Sequence, residues 1–236
     1  MKLFHSLLYP LLGGLFCLSC SDDEQDTGTK QPTTAGEVTF GVDLTGFSTR
    51  VTQDGSSWND GDKIGTYVLD MKTLEPVTEA ANVPYVCSEE GASVSFTSTT
   101  PLKVQNDGTP VKFVAYYPYN ADVRNFNYPV QLAAQERGST ACDLLYAATK
   151  EEYTYSPENE LNFTHRLAKV ILKFVNMEKE PLEVSDVRIE GMQTAASFNI
   201  QTDVLTVDES SVATINPYHN ATTGFYEAII LPSALT

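Results

Sequence analysis

Short segments in which apolar and polar residues alternate dominate this chain, and they constrain its fold more than any other feature of the sequence. In the first clear example, Val38, Phe40, Val42 and Leu44 are separated by Thr, Gly and Asp. Alternation with a period of two places the apolar side chains on one face of a β-strand. Turn-forming residues recur at short intervals, and helical periodicity is not sustained anywhere. The sequence therefore predicts an all-β fold of the sandwich type.

Further strands are predicted on the same basis. Lys63 to Leu69 follows a turn, and Val111 to Tyr117 is rich in β-branched and aromatic residues. Pro129 lies within the segment 126–132, which is therefore expected to be an edge strand or a loop. The apolar-rich segment 161–175 is interpreted as part of one long strand. Shorter strands are expected at residues 94–96, 143–147, 184–189, 198–200, 204–207 and 225–231.

The N-terminus has the pattern of a secretion signal that ends at a lipid-modified cysteine. Lys2 supplies a positive charge, and residues 7–18 form an uncharged, almost wholly apolar segment. That segment is too short for a transmembrane helix, which needs about 20 residues. Leu18-Ser19-Cys20 then resembles a lipobox, which predicts a lipoprotein signal peptide over residues 1–19 and lipidation of Cys20. The alternative is an ordinary secretory signal cut after Ser19, with an unmodified cysteine.

Residues 20–36 have the composition of a solvated tether. Acidic residues are concentrated at positions 22–26, and Thr, Gly, Gln and Pro dominate positions 27–36. Such a segment cannot bury enough apolar surface to fold by itself. An acidic stretch directly after the lipid cysteine resembles the surface-export signal of Bacteroidota lipoproteins. It predicts display on the outer face of the cell outer membrane, with a periplasm-facing location as the alternative.

The charge of the chain limits its partners. It has 31 acidic and 15 basic residues, which gives a formal net charge of −16. A chain this acidic repels phosphate backbones, so nucleic acid is excluded as a partner. The same charge disfavours flat adsorption onto anionic lipid.

No catalytic, cofactor or metal motif occurs in the sequence. Neither His165 nor His219 stands at a motif spacing from a nucleophilic Ser or Cys, and His165 is interpreted as a packed strand residue. Asp60-Gly61-Asp62 lacks the later ligands of a calcium loop and is interpreted as a turn bonded to its own backbone. We therefore expect no enzymatic activity, no cofactor and no bound metal.

Cys87 and Cys142 are the cysteines that remain after Cys17 leaves with the signal peptide and Cys20 takes lipid. In an oxidising compartment they could form a disulfide. Two buried free thiols are an equally good interpretation. Neither cysteine lies in a CxxC motif or near a histidine, so a metal or redox site has no support.

Aromatic residues offer one candidate binding surface. Tyr116, Tyr117 and Tyr119 stand nearly in a row, and Trp58 is the single tryptophan. Exposed aromatics of this kind can form a platform for sugars. Successive strand residues point to opposite faces, however, so at least one of these tyrosines should lie in the core. We favour the interpretation as core plus turn.

Four motifs in a fixed order resemble the fimbrillin family of Bacteroidales, the FimA-like and Mfa-like pilins with their anchor and tip relatives. The motifs are Trp58-Asn59-Asp60-Gly61-Asp62-Lys63-Ile64-Gly65, Phe113-Val114-Ala115-Tyr116-Tyr117-Pro118-Tyr119, Asp143-Leu144-Leu145-Tyr146-Ala147 and Leu161-Asn162-Phe163-Thr164-His165-Arg166-Leu167-Ala168-Lys169-Val170. The lipobox and the acidic tether agree with this resemblance, which spans most of the chain.

The resemblance implies two tandem transthyretin-like β-sandwich domains, which we expect at residues 37–158 and 159–236. The second is expected to be incomplete, because family members usually continue with further strands. The resemblance also implies assembly with other pilin subunits by strand exchange. In such assembly an arginine-specific protease would remove the tether and the first strand, and a strand from the next subunit would take its place. Arg50 is the candidate cleavage site, and its alternative role is that of an ordinary strand-end residue.

The predicted function is therefore a structural or adhesive subunit of a surface pilus, anchored to outer-membrane lipid through Cys20 until it is processed. A host or bacterial surface ligand would complete an adhesive role. The alternative is a surface-exposed glycan-binding lipoprotein of a nutrient-uptake system, which would need exposed aromatics at Trp58, Tyr116, Tyr117 or Tyr119. A hydrolase would need two carboxylates close together in a cleft.

Overall fold

The computed structural model describes residues 35–44, 57–79, 81–136, 138–149 and 155–232. Cys20 and Arg50 lie outside these described residues, so their predicted roles stay predictions. Apart from a short 3₁₀ helix at Thr140–Cys142, the regular structure of the described residues is β-structure. This confirms the predicted all-β class. Within the described ranges no helix is long and apolar enough to cross a bilayer.

The first ten strands extend to residue 165. They are β1 Ala35–Glu37, β2 Thr39–Leu44, β3 Lys63–Asp70, β4 Val83–Cys87, β5 Ser93–Thr97, β6 Lys103–Gln105, β7 Val111–Tyr117, β8 Asn127–Gln131, β9 Leu145–Ala148 and β10 Glu158–His165. Seven further strands follow. They are β11 Ala168–Leu172, β12 Ile189–Gln193, β13 Ala195–Asn199, β14 Val204–Val207, β15 Val212–Ile215, β16 Tyr218–Asn220 and β17 Phe225–Ile230.

Seven of the first ten strands close on themselves in the order β10-β2-β5-β4-β3-β7-β9. The pairs are antiparallel except for β2 with β10, which run parallel. The alternating strand residues direct one set of side chains inward, where they form a core cluster. The largest side chains of that cluster that are fully buried are Trp58, Tyr85, Phe40, Phe96, Phe113 and Phe163. Trp58 contacts Phe96 and Phe163 edge to face, at centroid distances of 5.1 and 5.3 Å.

A second core cluster lies on the other face of β3 and β7. It contains Tyr67 and Leu69 from β3 together with Val114 and Tyr116 from β7. Strands β8, β13 and β14 form a small sheet that contributes Val130, Ala196 and Phe198 to this cluster. The three-stranded sheet β11-β17-β16 and the pair β12-β15 supply a third, smaller cluster around Ile215, Ala228 and Ile230.

Most strands lie where the sequence pattern predicts them. Strand β7 coincides with the predicted segment, and β8 is an edge strand that carries Pro129, as expected. The long strand predicted over 161–175 is wrong, because two strands occupy it. The chain turns between them because the Arg166 N–H bonds Leu144 O, at 2.9 Å, while Leu167 enters the second core.

The strand predicted at 184–189 is also wrong. Residues 184–188 lie outside the regular strands, and β12 begins only at Ile189. Val184 is 36% exposed, and its carbonyl accepts a hydrogen bond from the Tyr226 hydroxyl instead of from a neighbouring strand. The predicted domain division at residues 158/159 coincides with the start of β10, which belongs to the seven-stranded barrel. The division into two domains stays a prediction.

Gly65 of β3 lies in close contact with the Tyr116 side chain of the second core. A Cβ atom added there would overlap the Tyr116 ring and lie 2.7 Å from the Asn82 side-chain oxygen. The Tyr116 hydroxyl donates to that oxygen at 2.6 Å and accepts from the Asn120 N–H at 3.3 Å. Glycine at position 65 therefore makes room for a tyrosine that connects β7 to two loops.

We expect Gly65→Ala to destabilise the protein by about 1–3 kcal/mol, because the added methyl overpacks a filled site. Equilibrium urea denaturation measures the change. Gly41→Ala is the matched control, since a Cβ at this strand glycine would meet only Asn159 O, at an ordinary 3.9 Å. Equal losses of stability in the two variants would contradict the proposed packing constraint.

Candidate functional site

The candidate functional site is the groove between β5 and β10, which strand β2 fills. Strand β2 pairs with β10 in parallel, from Thr39↔Glu158 to Leu44↔Phe163. On its other side it pairs with β5 in an antiparallel register, from Phe40↔Phe96 to Asp43↔Ser93. Both edges of β2 are thus hydrogen-bonded, although it is one of the first strands of the chain. Without it, β5 and β10 would each present unpaired N–H and C=O groups.

Three inward-facing side chains attach residues 38–44, which we call the inserted segment, to the barrel core. Val38 and Phe40 are fully buried, and Val42 is 2% exposed. The Phe40 ring lies edge to face against Tyr85 and Phe113, with centroids 4.9 and 5.4 Å away. Burying each such side chain contributes roughly 1.5–3 kcal/mol. The inserted segment is therefore an integral part of the core.

The buried hydroxyl of Tyr85 joins Val38, the residue before β2, to Leu102, the residue before β6. It donates to Val38 O at 2.9 Å and accepts from Leu102 N at 2.9 Å, while Val38 N donates to Leu102 O at 3.1 Å. Burial raises the pKa of Tyr85 to about 12, so its hydroxyl keeps its proton at neutral pH. The sequence analysis missed both β4 and Tyr85. The alternation of Val83, Tyr85 and Cys87 was the available indication.

The outward face of the segment is polar. Thr39 donates to Pro157 O through its N–H at 2.8 Å and through its hydroxyl at 3.0 Å. Asp43 accepts a hydrogen bond from the Ser93 hydroxyl. The Glu37–Lys103 ion pair between β1 and β6 spans 3.7 Å and is exposed, so it contributes little to stability. Apolar burial and the backbone hydrogen bonds therefore carry most of the interaction.

The alternative prediction of exposed aromatic residues that bind sugars is wrong at three of its four positions. Trp58 and Tyr116 are fully buried in the two cores. Tyr117 is half-buried, packs on the barrel core, and donates from its hydroxyl to Asp62 at 3.2 Å. Tyr119 alone lines an open cavity. The preferred interpretation of the tyrosines as core plus turn is confirmed at Tyr116 and Tyr117.

The turn aspartate, the strand histidine and the two cysteines singled out in the sequence each have a defined place in the fold. Asp62 caps its own turn by accepting from the Asn59 N–H at 2.7 Å, which confirms the predicted turn. Within the described parts of the chain, no three metal-ligating side chains come together. His165 ends β10, and its Nδ1 lies 2.8 Å from the Asp143 carboxylate.

Cys87 and Cys142 are free thiols, so of the two alternatives the disulfide is wrong.

A family model described as fimbrillin-like matches residues 49–236. The chain is similar to the crystal structure of a candidate cell adhesion protein from Bacteroides uniformis, at 25% identity and a TM-score of 0.66. That match covers 86% of this chain and 77% of the other. A second candidate cell adhesion protein, from Bacteroides ovatus, shares 17% identity with a TM-score of 0.53, covering 85% and 78%. A search of curated proteins found no match.

Removing the Tyr85 hydroxyl tests its role in holding the inserted segment. We expect Tyr85→Phe to lower the free energy of unfolding by about 1–3 kcal/mol, because two buried backbone groups lose a partner. The control is Tyr146→Phe, since the Tyr146 hydroxyl is sealed from solvent and has no partner among the described residues. Its removal should leave stability within about 0.5 kcal/mol or raise it. Denaturant titration at neutral pH measures both.

The same hydroxyl contributes to a pH dependence. Tyrosine in the unfolded chain has a pKa of about 10, whereas burial raises that of Tyr85 to about 12. Above pH ~10 the unfolded chain loses this proton first, so stability falls as pH rises towards ~12. The decline should be shallower in Tyr85→Phe. An identical decline in both proteins would contradict this assignment.

Proposed function

This chain belongs to the fimbrillin-like family, and on that premise we propose that it is a structural or adhesive subunit of a surface pilus. In this proposal it is exported as a lipoprotein and joins other subunits by addition of a β-strand. The family and the similarity to a candidate cell adhesion protein support a pilus-type adhesive subunit at the cell surface. They also accord with a structural role and not an enzymatic one.

The position of β2 is the observation that carries this proposal. It fills a two-sided groove, and its apolar side chains at alternate positions occupy the barrel core. Any strand of similar pattern could satisfy the same N–H and C=O groups and the same pockets. The groove thus has the chemistry of a strand-acceptor site, with the chain's own segment as its present occupant.

Arg50 provides a way to free that groove. It lies in the sequence between the end of β2 at Leu44 and the buried Trp58. Cleavage after Arg50 would separate β1 and β2 from the rest of the chain while leaving residues 51–236 intact. A strand from another subunit would then pair with β5 and β10. The released piece would carry the acidic tether and the lipidated Cys20.

Lipidation at Cys20 has the role of delivery in this scheme. A lipid on that residue holds the precursor at the outer membrane, and the tether of residues 20–36 gives it reach. Processing at Arg50 leaves the lipid behind. A subunit that is not processed would stay anchored and could serve as the base of the pilus.

Arg50→Lys tests the cleavage step. We expect the wild-type protein from the native cell surface to begin at residue 51, because an arginine-specific protease cuts after position 50. The lysine variant keeps the charge but should retain the tether and lose surface filaments in a deletion strain. Intact-mass analysis and electron microscopy measure the two results. The control is Arg188→Lys at an exposed arginine, which should mature and assemble normally.

Two outcomes would contradict this assignment. A lysine variant that matures to the wild-type mass would place the cleavage elsewhere. A variant that keeps its tether and still forms filaments would show that strand β2 need not leave for assembly.

Cys20→Ala tests the anchor. We expect the variant to lose the lipid mass and its association with the outer membrane, because the thiol is the site of acylation. Cys17→Ala is the matched control in the same signal segment and should leave the lipidated mass unchanged. Mass spectrometry of the membrane fraction measures both. A lipidated Cys20→Ala protein would refute the assignment.

A further inference from the structure

A cavity on the outer side of β3 lies away from the strand-acceptor groove. Its volume is about 530 Å³, within the range of small-molecule sites, and it opens to solvent. Tyr67, Tyr119 and Phe126 supply its aromatic surface, while Asn82, Arg124 and Asn125 supply polar groups. The rings of Tyr67 and Phe126 lie 4.7 Å apart and are tilted by 45°. The cavity thus combines apolar ring surfaces with hydrogen-bonding groups.

Tyr67 has a buried ring and an unpartnered hydroxyl at this cavity. The residue is only 3% exposed, yet its hydroxyl makes no hydrogen bond with the described residues. It is not among the polar atoms sealed from solvent, so it faces the cavity that Tyr67 lines. Burial, together with the neighbouring Tyr119, keeps the pKa of Tyr67 near 12, so the hydroxyl is a donor at neutral pH. A buried donor without a partner is costly unless a ligand or water satisfies it.

Arg124 gives this cavity a positive charge, although the chain as a whole is strongly acidic. No acidic residue is among the described residues that line it. The guanidinium uses Nη1 to donate to Ala121 O at 2.6 Å and Val123 O at 2.8 Å. Nε and Nη2 make no hydrogen bond within the described part of the chain, and the side chain is exposed. These two donors can form a paired contact with a carboxylate.

The walls of the cavity are held in place before any ligand arrives. Asn82 donates to Asn120 O at 2.9 Å and accepts from the Tyr116 hydroxyl, which ties the two lining loops together. Asn82, Asn125 and Phe126 all have positive φ, between 51° and 61°. A left-handed backbone is rare for a bulky residue such as phenylalanine, and such strain concentrates at functional sites. The arrangement orients the Phe126 ring towards Tyr67.

We propose that this cavity binds an acidic sugar residue of a surface glycan, with its carboxylate on Arg124 and its hydroxyls on Tyr67 and Tyr119. The faces of Tyr119 and Phe126 suit the C–H faces of a pyranose ring. The tyrosine hydroxyls and the Asn125 amide can both donate and accept, as sugar hydroxyls require. The inference deepens the adhesive part of the proposed function and rests on it, because it supplies the ligand of an adhesive subunit.

The experiment is a ligand-observed NMR titration of the full chain, purified in detergent, with three probes. Glucuronate carries the sugar ring and the carboxylate, glucose lacks the carboxylate, and benzoate lacks the sugar hydroxyls. We expect glucuronate to bind with a Kd of about 10 mM or below. Glucose and benzoate should each bind at least about tenfold more weakly, because each loses a whole set of contacts.

Variants assign the binding to this cavity. Tyr67→Phe keeps the ring and should weaken glucuronate binding about threefold to tenfold, as expected for one lost hydrogen bond. Arg124→Gln should weaken glucuronate binding at least about tenfold. Arg124→Lys keeps the charge but not the paired donors, so its affinity should lie between those of the wild type and Arg124→Gln. Tyr146→Phe and Arg188→Gln are matched controls elsewhere on the chain and should bind as the wild type does.

The inference is overturned if glucuronate does not bind, if benzoate binds equally well, or if the control variants lose binding as much as the cavity variants. Equal binding of glucose would overturn the role of the carboxylate. Filament assembly separates this result from the proposed function, because Tyr67→Phe should still mature and form filaments. A failure of assembly would appear only in the Arg50 variants.

Discussion

Among the described strands β2 alone joins β5 to β10, so it is the strand through which the barrel closes. Its backbone completes two ladders at once, one parallel and one antiparallel. Its side chains complete a single core, to which Phe113 of β7 and Phe163 of β10 also contribute. Loss of β2 would therefore expose two sheet edges and an apolar groove together. Such a surface is unstable in water and favours capture of another strand.

Hydrogen bonds of two buried tyrosine hydroxyls are the second interaction on which the fold depends. Tyr85 connects the residue before β2 with the segment that precedes β6. Tyr116 connects strand β7 with Asn82 and with Asn120 in the loop that follows it. In both cases the ring fills a core and the hydroxyl satisfies polar groups of irregular segments. The first fixes the acceptor groove, and the second fixes the wall of the cavity at Tyr67.

The sequence predicted the strands well where alternation alone determines them. Val38, Phe40 and Val42 are buried as expected, and Tyr116 and Tyr117 point into different cores as successive strand residues must. Tertiary contacts decided the rest. The apolar segment 161–175 divides because Leu167 leaves the barrel for the second core, which no local pattern encodes. The cavity at Tyr67 also escaped prediction, since it joins residues of β3 with those of a loop that follows β7.

In the proposed assembly, covalent connection would keep the groove between β5 and β10 filled by β2 until processing. While β2 is part of the same chain, its effective concentration at the groove is far higher than that of any strand from another subunit. A competing strand with the same contacts cannot displace it on affinity alone. A cut between β2 and Trp58 removes that advantage, and the exchange then depends on the side chains presented to the pockets of Val38, Phe40 and Val42. In the proposed assembly, the order of events, export first and polymerisation second, would follow from this linkage and would need no separate inhibitor.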